Sequence, residues 1–175
     1  MCEIRLKIWT EALNLPGYEV SHCVEDGIDG VLRFNLLPKQ IVELCPDCGR
    51  PCDSWHQKRW LENIADLPLG GRPVRLKIRV FQYECEHCGR VWTPHSPVVA
   101  EGTWATARLV GRAAELVRRS DVANASAFFG IPEKTLERWY YEYVERQRAA
   151  VSAQPIRSLG IDELSLKKST ASSSR

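Results

Sequence analysis

The chain has 175 residues, 44% of them hydrophobic and 26% charged, with 24 Lys+Arg against 22 Asp+Glu. That length suits one to two small domains, the net charge of +2 excludes a global polycation, and no segment approaches the roughly 18 uncharged apolar residues of a membrane span. The charge is uneven: residues 1–44 hold four Lys/Arg against seven Asp/Glu, whereas 45–100 and 105–150 each hold eight against six. An acidic beginning and a mildly basic remainder are compatible with a nucleic-acid partner without demanding one.

The start, Met1–Trp9, carries charges inside its apolar run and no small-residue cleavage site, so it does not read as a signal peptide. The expectation is a cytoplasmic protein whose cysteines stay reduced. Residues 4–9 alternate apolar and polar and suit either a short strand or the start of a helix. Tyr18–Val24 reads as a strand, residues 25–30 as turn chemistry, and Val31–Phe34 as the returning strand of a hairpin. Further on, Val74, Leu76, Ile78 and Val80 alternate with Arg75, Lys77 and Arg79, which predicts a half-buried strand with one cationic face. That face is open to two readings, a solvated sheet surface or a strip turned toward DNA. Pro94, Pro97 and Gly102 mark a linker.

Beyond Thr103 the period becomes helical. Leu109, Ala113, Leu116 and Val117 share one face of a helix ending near Ser120. A short helix over Val122–Phe129 follows, with Asp121 as N-cap. After the turn Gly130-Ile131-Pro132, a third helix runs to about Ala150. Leu136, Trp139, Tyr140 and Tyr143 recur at three- and four-residue spacing as its inner face, and Ala125, Phe128, Phe129 and Ile131 are expected to supply core. Helix, short helix, glycine turn and longer helix is the helix-turn-helix plan. In that plan the early residues of the last helix meet base edges, which makes Lys134, Thr135, Glu137 and Arg138 the candidate DNA-contacting set. A plain helical bundle with a solvated polar face competes. Ser158–Asp162 reads as one more strand, and Ser169–Arg175 as a low-complexity tail expected to be disordered.

The strongest local signal is a repeated hexapeptide, Cys45-Pro46-Asp47-Cys48-Gly49-Arg50 and Cys85-Glu86-His87-Cys88-Gly89-Arg90. A two-residue spacer lets both thiolates of a tight turn reach one ion at about 2.3 Å. Glycine after the second cysteine permits positive φ, so that backbone N–H groups turn back toward the sulfurs. Two such knuckles complete a closed tetrahedral site through Cys45, Cys48, Cys85 and Cys88, which means structural zinc. The 36 residues between them must fold out and back, and the strand at 74–83 delivers the second knuckle. A redox dithiol competes, but such a motif opens a helix after a strand. Cys52 and His56 lie near enough to compete as ligands. His87 is expected to point outward. Cys2 and Cys23 have no partner pattern.

The fold expected is therefore α+β: a β-hairpin segment (1–44), a small β-rich four-cysteine zinc domain (45–100) and a trihelical helix-turn-helix domain (103–150), then 156–175. Cys-Pro-x-Cys-Gly at 45–49, Arg59-Trp60-Leu61-Glu62-Asn63-Ile64-Ala65-Asp66-Leu67-Pro68, the basic strand into the second knuckle, the helices, and Leu159-Gly160-Ile161-Asp162-Glu163-Leu164-Ser165 come in that order. Together they resemble the bacterial insertion-sequence transposases of the ISL-three type over roughly residues 15–168. The resemblance implies double-stranded DNA at the element's terminal inverted repeats as partner. It also implies an RNase-H-like domain whose Asp-Asp-Glu set holds Mg²⁺ or Mn²⁺ in full-length relatives, where two metals stabilise an in-line displacement. Asp162 matches the first acid of that set, and no Asp or Glu follows Glu163. The expectation is a truncated catalytic start, inactive in strand cleavage alone, with Asp162 a remnant. The alternative function is a zinc-containing interaction module that forms homo-oligomers, or mixed oligomers with a full-length transposase.

Overall fold

A computed structural model describes residues 3–25 and 29–150. The chain opens with a helix, α1 (Glu3–Leu13), where the sequence allowed helix or strand. Helical spacing puts Leu6, Trp9 and Leu13 on one side, against the sheet core, and leaves Ile4 and Ile8 outside. Then come β1 (Tyr18–Glu25) and β2 (Leu32–Pro38), the expected hairpin. Next are β3 (Glu43–Leu44), β4 (Pro51–Cys52), the long β5 (Trp55–Leu69), β6 (Arg72–Glu84) and β7 (Val91–Trp92).

The main sheet has the order β1-β2-β6-β5, with β7 paired to the end of β6. Strand β6 alternates as its sequence predicts: Val74, Leu76 and Ile78 are buried, while Arg75, Lys77 and Arg79 are half-buried on the outer face. The inner side chains meet Val20, Leu32, Phe34, Leu36 and Ile64 beneath α1, where Trp9 packs edge-on to Phe34 with ring centroids 5.3 Å apart. The hairpin segment and the cysteine-bearing segment share this sheet, because β2 pairs in parallel with β6 from Leu32↔Val74 to Leu36↔Ile78. The reason is burial: an isolated two-stranded hairpin is marginal in water, whereas extra strands complete an apolar face. The stretch marked as a linker is packed as well. Val98, Val99 and Ala100 are buried, and Ala107 N–H donates to Val98 O at 2.9 Å.

Three helices follow, α2 (Ala107–Arg119), α3 (Val122–Phe129) and α4 (Glu133–Ala150), each in contact with the other two. The Thr106 side chain caps α2 by accepting from Leu109 N–H, and Asp121 caps α3 by accepting from Asn124 N–H. Gly130 ends α3 in the left-handed conformation. Leu109, Val110, Ala113, Val117, Ala125, Ile131, Leu136 and Trp139 form their core. Phe128 does not join it, contrary to the sequence expectation, being 69% exposed. At about 100° per residue it lies a quarter-turn from Phe129, and it is Phe129 that packs beside Ala125 and Val122.

The helices join the sheet at the free edge of β5. Ala65 N–H donates to Trp104 O at 2.8 Å, and Thr106 N–H to Ala65 O at 2.9 Å. The next side chain, Asp66, is buried. It accepts from Thr106 Oγ1 at 2.6 Å, from Arg108 Nε at 2.8 Å and from Arg108 Nη2, while Arg108 Nη1 donates to Leu13 O at 2.6 Å. One ion pair thus ties together the end of α1, β5 and the start of α2.

Candidate metal centre

The two hexapeptides fold alike. In the first, between β3 and β4, Cys45 N–H donates to Arg50 O at 2.9 Å and Gly49 N–H to Cys45 O at 2.9 Å. In the second, between β6 and β7, Cys85 N–H donates to Arg90 O and Gly89 N–H to Cys85 O, both at 2.8 Å. Gly49 and Gly89 sit at φ 70° and 71°. This is the region where a Cβ is penalised, so the glycine that follows each Cys-x-x-Cys is what closes the turn.

Strands β5 and β6 consume most of the chain between the knuckles. Trp55↔Tyr83 closes their ladder, and β7 adds Tyr83↔Trp92. The result is convergence: the sulfurs of Cys45, Cys48, Cys85 and Cys88 all lie within 4.8 Å of one another. Cys45 Sγ is 3.6 Å from Cys88 Sγ, and Cys48 Sγ is 3.6 Å from Cys85 Sγ. A tetrahedron with arms of about 2.3 Å has edges of about 3.8 Å, so the four sulfurs fit one zinc ion with no open position. Such an ion supplies cross-linking, not reaction chemistry. Cys45, Cys52, Tyr83 and Cys85 are buried here, with Cys48, Phe81 and Trp92 against them. Tyr83 stacks on Trp92 with centroids 5.6 Å apart, and its hydroxyl donates to Ile41 O at 2.8 Å.

The electrostatics favour thiolate at one corner. Backbone N–H groups of Cys88 and His87, with the Cys48 and Cys88 side chains, hold Cys85 down at about 6 against burial. Cys52 is the opposite case: burial first, then the neighbouring Cys85, pushes it up to about 11. It is a neutral thiol beside the centre, outside the converging four, and bonded to Arg50 O at 3.7 Å. Its place in the cluster was not legible, since spacing alone did not separate a ligand from a neighbour. His56 turns to Glu84, with Nδ1 3.7 Å from Oε2, and His87 is exposed as expected. Cys23 packs against the sheet core, and Cys2 lies outside the described residues.

The remaining candidate residues lie elsewhere. Lys134, Glu137 and Arg138 are exposed on the first turns of α4, with Thr135 half-buried. Arg138 Nε is 3.9 Å from Glu142 Oε1. Arg75, Lys77 and Arg79 share the outer sheet face. Lys77 Nζ is 2.6 Å from Glu62 Oε1, and Arg79 stacks on Trp60 at 4.0 Å from the ring centroid. Asp162 and the strand expected at 158–162 lie outside the described residues. Among the described residues no helix is long and apolar enough to cross a membrane.

Residues 42–88 match the family described as the zinc-finger of transposase IS204/IS1001/IS1096/IS1165. No curated protein and no solved structure matches the chain. The matched segment contains both knuckles and the hairpin strands that bring them together. Residues 42–88 are therefore similar to the zinc ribbon of ISL-three-type transposases, and Cys45, Cys48, Cys85 and Cys88 are placed to hold one structural zinc.

Proposed function

We propose that this chain is the DNA-binding part of a transposase and recognises the terminal inverted repeats of an insertion sequence. The observation that carries the reading is the transposase zinc ribbon at 42–88 followed by the three packed helices α2–α4. In this reading α3, the Gly130 turn and α4 are a helix-turn-helix, with α4 in the major groove. Arg138 reads guanine and Lys134 meets phosphate, with Thr135 and Glu137 beside them. The inner face of α4, Leu136 and Trp139, is buried, which supports offering the opposite side to DNA. The site of action is the cytoplasm. Strand cleavage is not assigned to the residues described here.

The test is a gel shift of the zinc-loaded chain on duplexes carrying the element's ends and on unrelated duplexes, at several salt concentrations. Specific recognition requires tighter binding to the ends. Arg138→Ala should relax the preference at one position by about 1–3 kcal/mol, and equal affinity for all duplexes removes the specific reading. A second reading, assembly with itself or with a longer transposase, is favoured by large apolar side chains left outside the helical core: Trp104, Phe128 and Tyr141 are 70%, 69% and 67% exposed. Sedimentation with and without DNA separates the two, because a strict monomer that binds DNA argues against assembly.

A further inference from the structure

We propose that the outer face of the main sheet is a second contact surface for the same duplex, in which Arg75, Lys77 and Arg79 grip the sugar–phosphate backbone and Trp60 orders the last two. This inference rests on the DNA-binding reading and deepens it.

The sheet buries one face under α1; the other is open along β6 up to its Arg75 end, where Ala65, opposite Arg75, packs into the helical core. On that open face, alternate β6 residues stand about 6.6–6.8 Å apart, so the three cations span about 13 Å. A duplex carries one charge per ~1.7 Å of axis, and each cation therefore has its own phosphate within reach. The row lies between the α3–α4 turn and the cysteine cluster. Its Arg75 end lines an open cleft of about 370 Å³ together with Phe128, Phe129, Gly130 and Ile131 at the α3–α4 turn. Beyond its Arg79 end, Phe81 and Tyr83 belong to the cysteine cluster. A backbone lying on the row is thus continuous with a groove contacted by α4.

Two of the three cations, Lys77 and Arg79, are held in place before any ligand arrives. Trp60 lies opposite Arg79 in the ladder. It takes the Arg79 guanidinium at 4.0 Å and the Lys77 ammonium at 5.3 Å from its ring centroid. Two like charges on one ring repel each other, and an anion between them relieves that repulsion. The acid at hand, Glu62, pairs with Lys77, but their side chains are 59% and 40% exposed. A solvated pair of this kind is weak, so phosphate can displace it. Arg33, opposite Arg75, is already engaged by Asp29. Charge complementarity selects a polyanionic backbone over an apolar or cationic partner. Because the row presents no acceptor pattern, the contact carries affinity without sequence preference.

The experiment uses the full zinc-loaded chain, with arbitrary and element-end duplexes and Kd measured across salt concentrations. Each of Arg75→Ala, Lys77→Ala and Arg79→Ala should lower the slope of log K against log salt by about 0.9, and the triple variant by about 2.7. The loss should be equal on both duplexes. Trp60→Ala should weaken binding although it removes no charge, and Trp60→Phe should restore most of it; zinc content and melting report whether each variant is folded. A folded triple variant with unchanged slope and affinity overturns the inference and leaves the α4 reading intact. Loss of slope in the triple variant, with no loss of preference in Arg138→Ala, supports the sheet contact and refutes the role of α4. No duplex binding by the unaltered chain overturns both.

Discussion

Replacing Asp66 with alanine tests what holds the helices to the sheet. The Asp66 carboxylate is wholly enclosed and accepts from Thr106 and twice from Arg108. Without it, Arg108 keeps its bond to Leu13 O but has no counter-charge, and the Thr106 hydroxyl loses its acceptor. Breaking a buried pair from one side costs about 3–5 kcal/mol. The Arg108 side chain is 33% exposed and can turn toward water, which places the loss near 3 kcal/mol. For a chain of this size that lowers Tm by about 6–12 °C. Replacing both partners, Asp66→Leu with Arg108→Met, removes the stranded charge and should recover most of the loss. The assay is thermal unfolding followed by circular dichroism in saturating zinc. A drop of less than about 1 kcal/mol in Asp66→Ala, or a double variant no better than the single, would refute the claim that this pair is the joint.

Removing zinc with a chelator should speed amide exchange at 43–52 and 85–92 while the inner strands and α2–α4 stay protected, since the cysteine cluster shares no buried residue with the other two cores; exchange that rises everywhere at once would contradict this. Glu115 is held down to about 2, by Arg118 first and Arg119 second. A depressed acid contributes above its ordinary value of 4.5 and loses that contribution as pH falls through about 2, so a carboxyl NMR titration should place its midpoint well below 4.5, and a midpoint near 4.5 would deny the clasp. Leu136→Ala, at a side chain 1% exposed, should cost about 2–5 kcal/mol in urea unfolding. Phe128→Ser, on the surface, should stay within about 0.5 kcal/mol, and a large loss there would return Phe128 to the core.

The parts legible in the sequence were those encoded within a few residues. Cys-x-x-Cys-Gly fixes a knuckle by its own turn geometry, and two copies announced the centre before any fold was known. Helices α2 to α4 carried a 3.6 period, and α3 its capping residue at Asp121. Strand β6 carried its alternation. What escaped depended on partners far along the chain. The residues of α1 alternate over too short a run to choose between periods, and the choice falls to Leu6, Trp9 and Leu13 meeting a sheet built mostly later. Nothing local in Val31–Phe34 names Val74 and Leu76 as neighbours across a parallel pairing. Asp66 read as one letter of a family motif, and its partner Arg108 stands 42 residues away. Phe128 shows the limit of composition: an aromatic at a helix end counts as core only if its angular position agrees.

One hairpin passes through all three buried clusters. Ile64, Leu76 and Ile78 belong to the sheet core, Ala65 to the helical core, and Tyr83 and Cys85 to the cysteine cluster. Zinc therefore clamps the far end of a β5–β6 ribbon whose middle is already fixed by apolar burial, and the metal's contribution is to orientation more than to overall folding. The ribbon is also shaped. Leu61 pairs with Ile78 and Ile64 with Leu76, so Glu62 and Asn63 together oppose Lys77 alone. That is a bulge, and Asn63 takes it at φ 57°, a conformation asparagine tolerates better than most residues. The extra residue keeps Leu61 and Ile64 both facing the core while it turns Glu62 out to Lys77. Bulges increase local twist and re-aim side chains. Here the bulge lies beside the cationic row, between the zinc end and the helix end of the ribbon. The relative orientation of those two ends thus depends on local backbone geometry at Asn63 as well as on the metal.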